Sequence, residues 1–387
     1  MADFKNGQAE EERERVSLNI LHIAPRNTAG VPLEMVRAER RLGYDSRLIT
    51  MMSGPQDRES GICLDLPWAS FPGFSLFRKL ILPRTMTRSV NQRVYPETCP
   101  PVWRVPDRIR FLFDLRERIW TPLIEHACRE QDWLSADVLQ LDGGLGFYRD
   151  GRWVRRFKTK GKKVIACYLG SDLRIRGVIP AIDALSDLNV TVEFDHLEHH
   201  SDIHHVPFPF DVDSIPKSVH GVYEKIRVGH APTSRAAKGT EHILKVLRLL
   251  EKSRPIETVL IEKKPYREAL RMKSTCQIFI DQLGELGYGM NAVEALAMGI
   301  PTCTSLAAGF EKAYPDHPFV RVDHRNLEAV LIRLIHNERE RIERGKRSRE
   351  WVRRTHDSVN VVGRIHKLAG LKNSGPLLSN GKNKSMA

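Results

Sequence analysis

The sequence has no uninterrupted apolar run of about 18 residues, the length a membrane-spanning helix needs, so no spanning helix is expected. Its opening, MADFKNGQAEEERERVS, is charged where a signal peptide needs an apolar stretch, and a cytoplasmic location is expected. The six cysteines (63, 99, 128, 167, 276 and 303) form no Cys-x-x-Cys pair. Cys167 and Cys303 lie in apolar, strand-like runs and read as buried free thiols. Zinc-finger spacing, an RNP-like aromatic motif and a basic heptad region are also missing, so no specific nucleic-acid partner is expected. Acidic residues are in deficit, with 48 Asp and Glu against 61 Lys and Arg, a net charge of +13. That balance suits an anionic partner such as a lipid surface or a phosphorylated small molecule, although a solvated basic surface is the default for charge alone.

A chain of 387 residues with 41% hydrophobic content is a soluble globular protein, too long for one typical core, and two domains are expected. SLNILHIA (17–24) reads as a strand, and VPLEMVRAERRLGYDSRLIT after it as helix, glycine stop and strand. This strand–helix–strand unit belongs to a doubly wound parallel sheet. ADVLQLDGG (136–144), KKVIACYLGSD (162–172) and NVTVEF (189–194) continue it. A Pro-rich, aperiodic stretch at 204–221 predicts a hinge. A second strand set follows in KIRVGHAP, ETVLIE, CQIFIDQL and IPTCTSL, with helices at 241–252, 265–273 and 290–298. The expected fold class is α/β, two Rossmann-like doubly wound domains. Their expected bounds are 17–210 and 211–357, after a flexible stretch 1–16. A helical stretch at 325–354, a C-terminal helix 358–371 that packs back on the first domain, and a disordered tail 372–387 complete the chain. The basic and aromatic stretch 70–130 predicts surface helices, or else an interfacial helix on anionic lipid.

Two loops of the second half carry chemistry. HAPTSRAAKGT places Arg235 and Lys238 after a strand and at a helix start, where two cations beside free N–H groups suit a diphosphate. LGYGMNAVEALAMG approaches from another strand end of the same sheet. Gly287 and Gly289 permit close backbone approach, and Glu294 sits one turn inside a small apolar helix whose face Met290, Val293, Leu296 and Ala297 turn inward. Their meeting point suits a nucleoside diphosphate, with Glu294 on the ribose hydroxyls.

With ILHIAPRNTAGVPLEMVRAERRLGYDSRLIT, YLGSDLRIRGVIP, HAPTSRAAKGT and LGYGMNAVEALAMGIPT in place, the chain resembles the retaining nucleotide-sugar glycosyltransferases of family 4, which have the GT-B fold. The resemblance runs from about residue 17 to 370. It implies that Arg235 and Lys238 neutralise the donor diphosphate, that the amides of Gly289, Met290 and Asn291 cradle phosphate, and that Glu294 binds the ribose. It also implies a glycan or lipid-linked acceptor and no metal or other cofactor. Asn27, Gly30, Gly143, Gly144 and Arg174 are expected on the acceptor side. Asp172 is the catalytic candidate, with helix N-capping as its structural alternative. The chain departs from the family pattern twice: the first Glu of the Glu-x7-Glu motif falls on Leu286, and a family histidine falls on Leu169. These leave open a binding protein on the same fold that has lost turnover. An epimerase on this fold would need an added acid/base pair, which the sequence does not point to. Asp211 and Asp213 in FDVD, and the histidines 196, 199, 200, 204 and 205 in HLEHHSDIHH, invite a metal. The first pair sits in the expected hinge and the second set matches no zinc spacing, so no metal site is expected.

Overall fold

The computed structural model describes residues 18–54, 61–69, 99–105, 107–218, 224–284 and 287–371. The expected flexible start, the disordered tail and residues 70–98 of the basic and aromatic stretch 70–130 lie outside these residues.

Apolar runs punctuated by glycine build the first sheet. β1 (Asn19–Ala24), α1 (Val31–Arg41) and β2 (Asp45–Thr50) form the opening unit, followed by the two-residue β3 (Ile62–Cys63). α1 carries Pro32 and Glu34 in its first turn and ends on Arg40 and Arg41, charges that match its dipole. α2 (Asp107–Glu130) precedes β4 (Val138–Asp142), α3 (Arg152–Lys158), β5 (Lys163–Tyr168), α4 (Pro180–Asp183), β6 (Leu188–Thr191) and β7 (His204–His205). The strands form one parallel sheet in the order β3-β2-β1-β4-β5-β6-β7.

The second sheet follows from β8 (Ile226–His230), the short α5 (Arg235–Lys238), α6 (Thr240–Glu251), β9 (Ile256–Leu260), α7 (Tyr266–Ser274) and β10 (Ile278–Gln282). It continues through α8 (Met290–Ala297), β11 (Thr302–Thr304), α9 (Phe310–Ala313) and β12 (Val320–Arg321). The order is β12-β11-β10-β8-β9, again all parallel. The α/β architecture of two doubly wound sheets is therefore as expected.

Three details differ from the expectation. The stretch 325–354 is two helices, α10 (Leu327–His336) and α11 (Glu338–His356), because the Asn337 side chain accepts from the Glu340 amide at 2.9 Å and starts a new helix. The expected hinge begins later than 204, since His204 and His205 add an edge strand to the first sheet. Helix α8 buries every residue from Ala292 to Ala297, where one inward face was expected. Its far side is covered by α11, where a Cβ on Gly345 would collide with the carbonyl of Gly299 just beyond α8.

The closing helix α12 (Ser358–Leu368), capped by Asp357, returns to the first sheet. There His366 Nε2 meets Glu39 Oε1 at 3.0 Å. Glu39 also accepts from Ser46 and pairs with His22 Nε2 at 2.9 Å, and His22 Nδ1 reaches Asp142 at 2.9 Å. Burial opposes a charge on His22, but Glu39 and Asp142 outweigh it and raise the imidazolium to about 10. The outgoing and returning chains run side by side, where the Phe210 amide donates to the His356 carbonyl at 2.8 Å. The thiols of Cys167 and Cys303 are fully buried, and burial pushes both up.

Candidate functional site

The carboxyl ends of β8 and β10 set the second-domain half of the site. His230, the last residue of β8, is buried; its Nδ1 faces the Ile280 carbonyl at 2.8 Å and its Nε2 the Thr240 hydroxyl at 2.9 Å. A carbonyl only accepts, so Nδ1 carries the proton, and burial, which lowers this histidine, keeps the ring neutral. The ring ties the end of β8 to β10 and to the first residue of α6, which follows directly on α5. From α5 Lys238 donates to Asp281 Oδ1 at 2.9 Å, while Asp281 Oδ2 accepts the Gly289 amide at 2.9 Å. A Cβ on Gly289 would stand 3.1 Å from the Lys238 ammonium, so the close backbone approach expected of this glycine is made to Lys238. Arg235 points outward, paired with Glu262 at 2.7 Å and Glu241 at 2.9 Å, and those carboxylates raise it.

Along α8, Met290 is half-buried, and Asn291 Nδ2 donates to the Ala231 carbonyl at 3.0 Å. Asn291 Oδ1 accepts from Lys273 at 2.8 Å. Lys273 also pairs with Glu294, and both are buried, at 1% and 5% exposure. Tyr266 stands beside the same carboxylate; burial and then Glu294 raise its hydroxyl. Lys238, Gly289, Asn291 and Glu294 are thus brought together at two adjacent strand ends, with Arg235 at their edge. Lys273 and Asp281 were not identified from the sequence, and Leu286 lies outside the described residues.

The first domain presents a cavity of about 310 Å³ at the ends of β1, β4 and β5, the point where strand order reverses. Arg26, Thr28, Asp142, Gly143, Leu169 and Asp172 are among its lining residues. Asp172 opens a π-helical turn, Asp172–Arg176; its carboxylate accepts the Leu169 amide at 3.1 Å, and burial raises it. It therefore does not cap that turn. Gly143 and Gly144 adopt positive φ and turn their carbonyls toward the Arg176 guanidinium, with Gly144 flat against the Tyr168 ring. Asn27 accepts from the Leu33 amide at 3.2 Å and so ties down the start of α1, whose N-cap is Gly30. Arg174 turns away from the cavity to Asp195 at 2.6 Å and Glu193 at 3.7 Å.

Glu193, which the sequence did not single out, lies just beyond β6 and within electrostatic reach of Lys238 in the other domain. Burial raises its carboxyl to about 7, with Arg174 opposing. Most of the residues that invited a metal have structural partners. Asp211 accepts from the amides of Asp213 and Ser214, and Asp213 pairs with Arg353. His196 meets Thr191, His200 meets Asp183 and His205 meets Tyr314. No group of three or more His, Cys, Asp or Glu among the described residues is placed to hold a metal ion.

Neither a family model nor a curated protein matches this sequence. Solved structures do. Sucrose-phosphate synthase from Thermosynechococcus elongatus aligns with a TM-score of 0.59 at 10% identity, covering 90% of this chain and 98% of that one. HepE of Anabaena, in complex with UDP and glucose, aligns with a TM-score of 0.57 at 10% identity over 91% and 99%. TarM gives 0.57 at 8% identity over 92% and 99%. Over nearly the whole of these chains the architecture is shared, and it defines a two-domain α/β protein. Its fold is GT-B, two Rossmann-like domains facing across a cleft.

Proposed function

We propose that the protein is a glycosyltransferase that moves a sugar from a nucleotide-sugar donor to a glycan or lipid-linked acceptor. The observation that carries this reading is the convergence of Lys238, Gly289, Asn291 and Glu294 at adjacent strand ends of the second sheet. Sucrose-phosphate synthase, by its name, and HepE, with its UDP and glucose, share the fold, which supports a sugar-transfer reading and makes UDP-glucose the first donor to try.

In this reading the diphosphate exchanges places with existing carboxylates. Lys238 leaves Asp281, and Arg235 leaves Glu262 and Glu241, to meet phosphate oxygens. The two cations and the α8 amides then stabilise the negative charge that grows as the nucleoside diphosphate departs. These groups answer the charge without a resident metal. Retention of configuration, and a place in polysaccharide or envelope-glycan assembly, follow from the resemblance to family 4. The acceptor belongs in the first-domain cavity, where Asp172 and Arg26 offer polar contacts. We place the protein in the cytoplasm, peripheral on the inner face of the membrane. No helix among the described residues is long and apolar enough to cross one.

The test is a panel of nucleotide sugars, with and without candidate glycans, read as release of nucleoside diphosphate in the presence of a chelator. Release that needs one donor and rises with an acceptor is expected. Binding without any release would favour the protein that has kept the site and lost turnover.

A further inference from the structure

We propose that Glu193 and Arg174 form the subsite for the sugar of the donor, with the Glu193 carboxylate accepting a hydrogen bond from a sugar hydroxyl. The proposal rests on the nucleotide-sugar reading of the cleft. Glu193 is 9% exposed, yet its carboxylate makes no hydrogen bond among the described residues. Its nearest cation, Arg174 Nη1, is 3.7 Å away and already holds both oxygens of Asp195 at 2.6 Å. Burial costs this carboxylate free energy that the Arg174 guanidinium at 3.7 Å offsets only in part, and no hydrogen bond completes the offset. A ligand that supplies a hydroxyl would.

Its position says which ligand. Glu193 extends from the carboxyl end of β6 into the cleft. Around it stand Arg174, Asp195 and Asp172 from the first domain and Lys238 and Tyr288 from the second. Lys238 is the cation assigned to the donor diphosphate. A glycosyl group joined to that diphosphate extends into the space between Lys238 and Glu193, where hydroxyls meet a carboxylate and a guanidinium. Phe194, next in the chain, packs on Phe310 at 5.3 Å, so the two domains already touch beside this point.

The charge of the subsite changes across neutrality, because burial lifts the Glu193 carboxyl to about 7. Above that pH the ionised form accepts a hydroxyl hydrogen bond more strongly and opposes a phosphate on Lys238. Sugar recognition and diphosphate recognition therefore respond to pH in opposite directions.

The experiment is calorimetry on wild type and Glu193→Gln with two probes, UDP-glucose and UDP, or the donor the panel singles out and its free diphosphate. Glu193→Gln removes a buried carboxylate that has no hydrogen bond, so the fold is kept. We expect it to lose about tenfold in UDP-glucose affinity while UDP affinity holds or improves. Between about pH 6 and about pH 8 the preference for UDP-glucose over UDP should shift further toward UDP-glucose in wild type than in the variant, which keeps only the change set by ionisation of UDP's own terminal phosphate. Equal losses for both probes, or no change in their ratio, overturn the subsite and leave the cleft reading standing. A wild type that binds no nucleoside diphosphate overturns the cleft reading itself.

Discussion

Replacing Glu294 by Gln removes the counter-charge of a buried ammonium as well as a hydrogen-bond acceptor. Lys273 is 1% exposed and lies 5.0 Å from the Phe279 ring centroid, with Glu294 and Asn291 as its polar partners. Breaking such a pair on one side costs about 3–5 kcal/mol, so Glu294→Gln should lower the melting temperature as well as nucleotide affinity. A double variant separates the two effects. Lys273→Met in the Glu294→Gln background removes the stranded cation, so stability should recover. The affinity loss of about 1–3 kcal/mol from the ribose contact should remain. If affinity recovers along with stability, Glu294 serves only the fold. The carboxylate was visible in the sequence because a charge inside a small apolar helix is conspicuous. Lys273 was not, because it stands 21 residues away on another helix and reads there as an ordinary surface lysine.

Among the elements, α2 is the one whose surface calls for a partner. Phe113, Glu117, Trp120, Ile124 and Cys128 are buried, while Phe111, Leu112, Leu115 and Leu123 lie exposed along another face. Arg108, Arg110 and Arg118 are exposed on the same helix, and Phe111 is 64% exposed. Exposed apolar residues with arginines on the same helix suit anionic lipid. Co-sedimentation with anionic vesicles should be salt-sensitive and should fall when Arg108, Arg110 and Arg118 are neutralised or when Phe111 and Leu115 become Ser. Equally poor binding to neutral and anionic vesicles would remove the membrane from the account. At this scale the sequence was informative wherever an element was long or fully buried. VLQLD and KVIACY read as strands because they are short, mostly apolar runs that a glycine soon closes. β3, β7 and β12 escaped because two residues carry no periodicity. NVTVEF was extended to residue 194 by its alternation, but β6 ends at Thr191. That difference hid Glu193, which stands in the loop that faces the cleft.

For the molecule as a whole, the two sheets turn the carboxyl ends of their strands toward each other, and each chemical group is delivered by a different strand end. Lys238 and Asp281 are 43 residues apart and meet only because β8 and β10 are neighbours. The cationic loop could thus be read from its spacing, whereas the carboxylate that holds its lysine could not. The central claim is that this place receives a nucleoside diphosphate. Calorimetry with UDP, or the diphosphate of the donor the panel singles out, on wild type and on Arg235→Ala/Lys238→Ala tests it most directly. Wild type should bind, and the double variant should lose more than about tenfold in affinity with its fold intact. Equal affinity in the two proteins, or no binding by wild type, would contradict it.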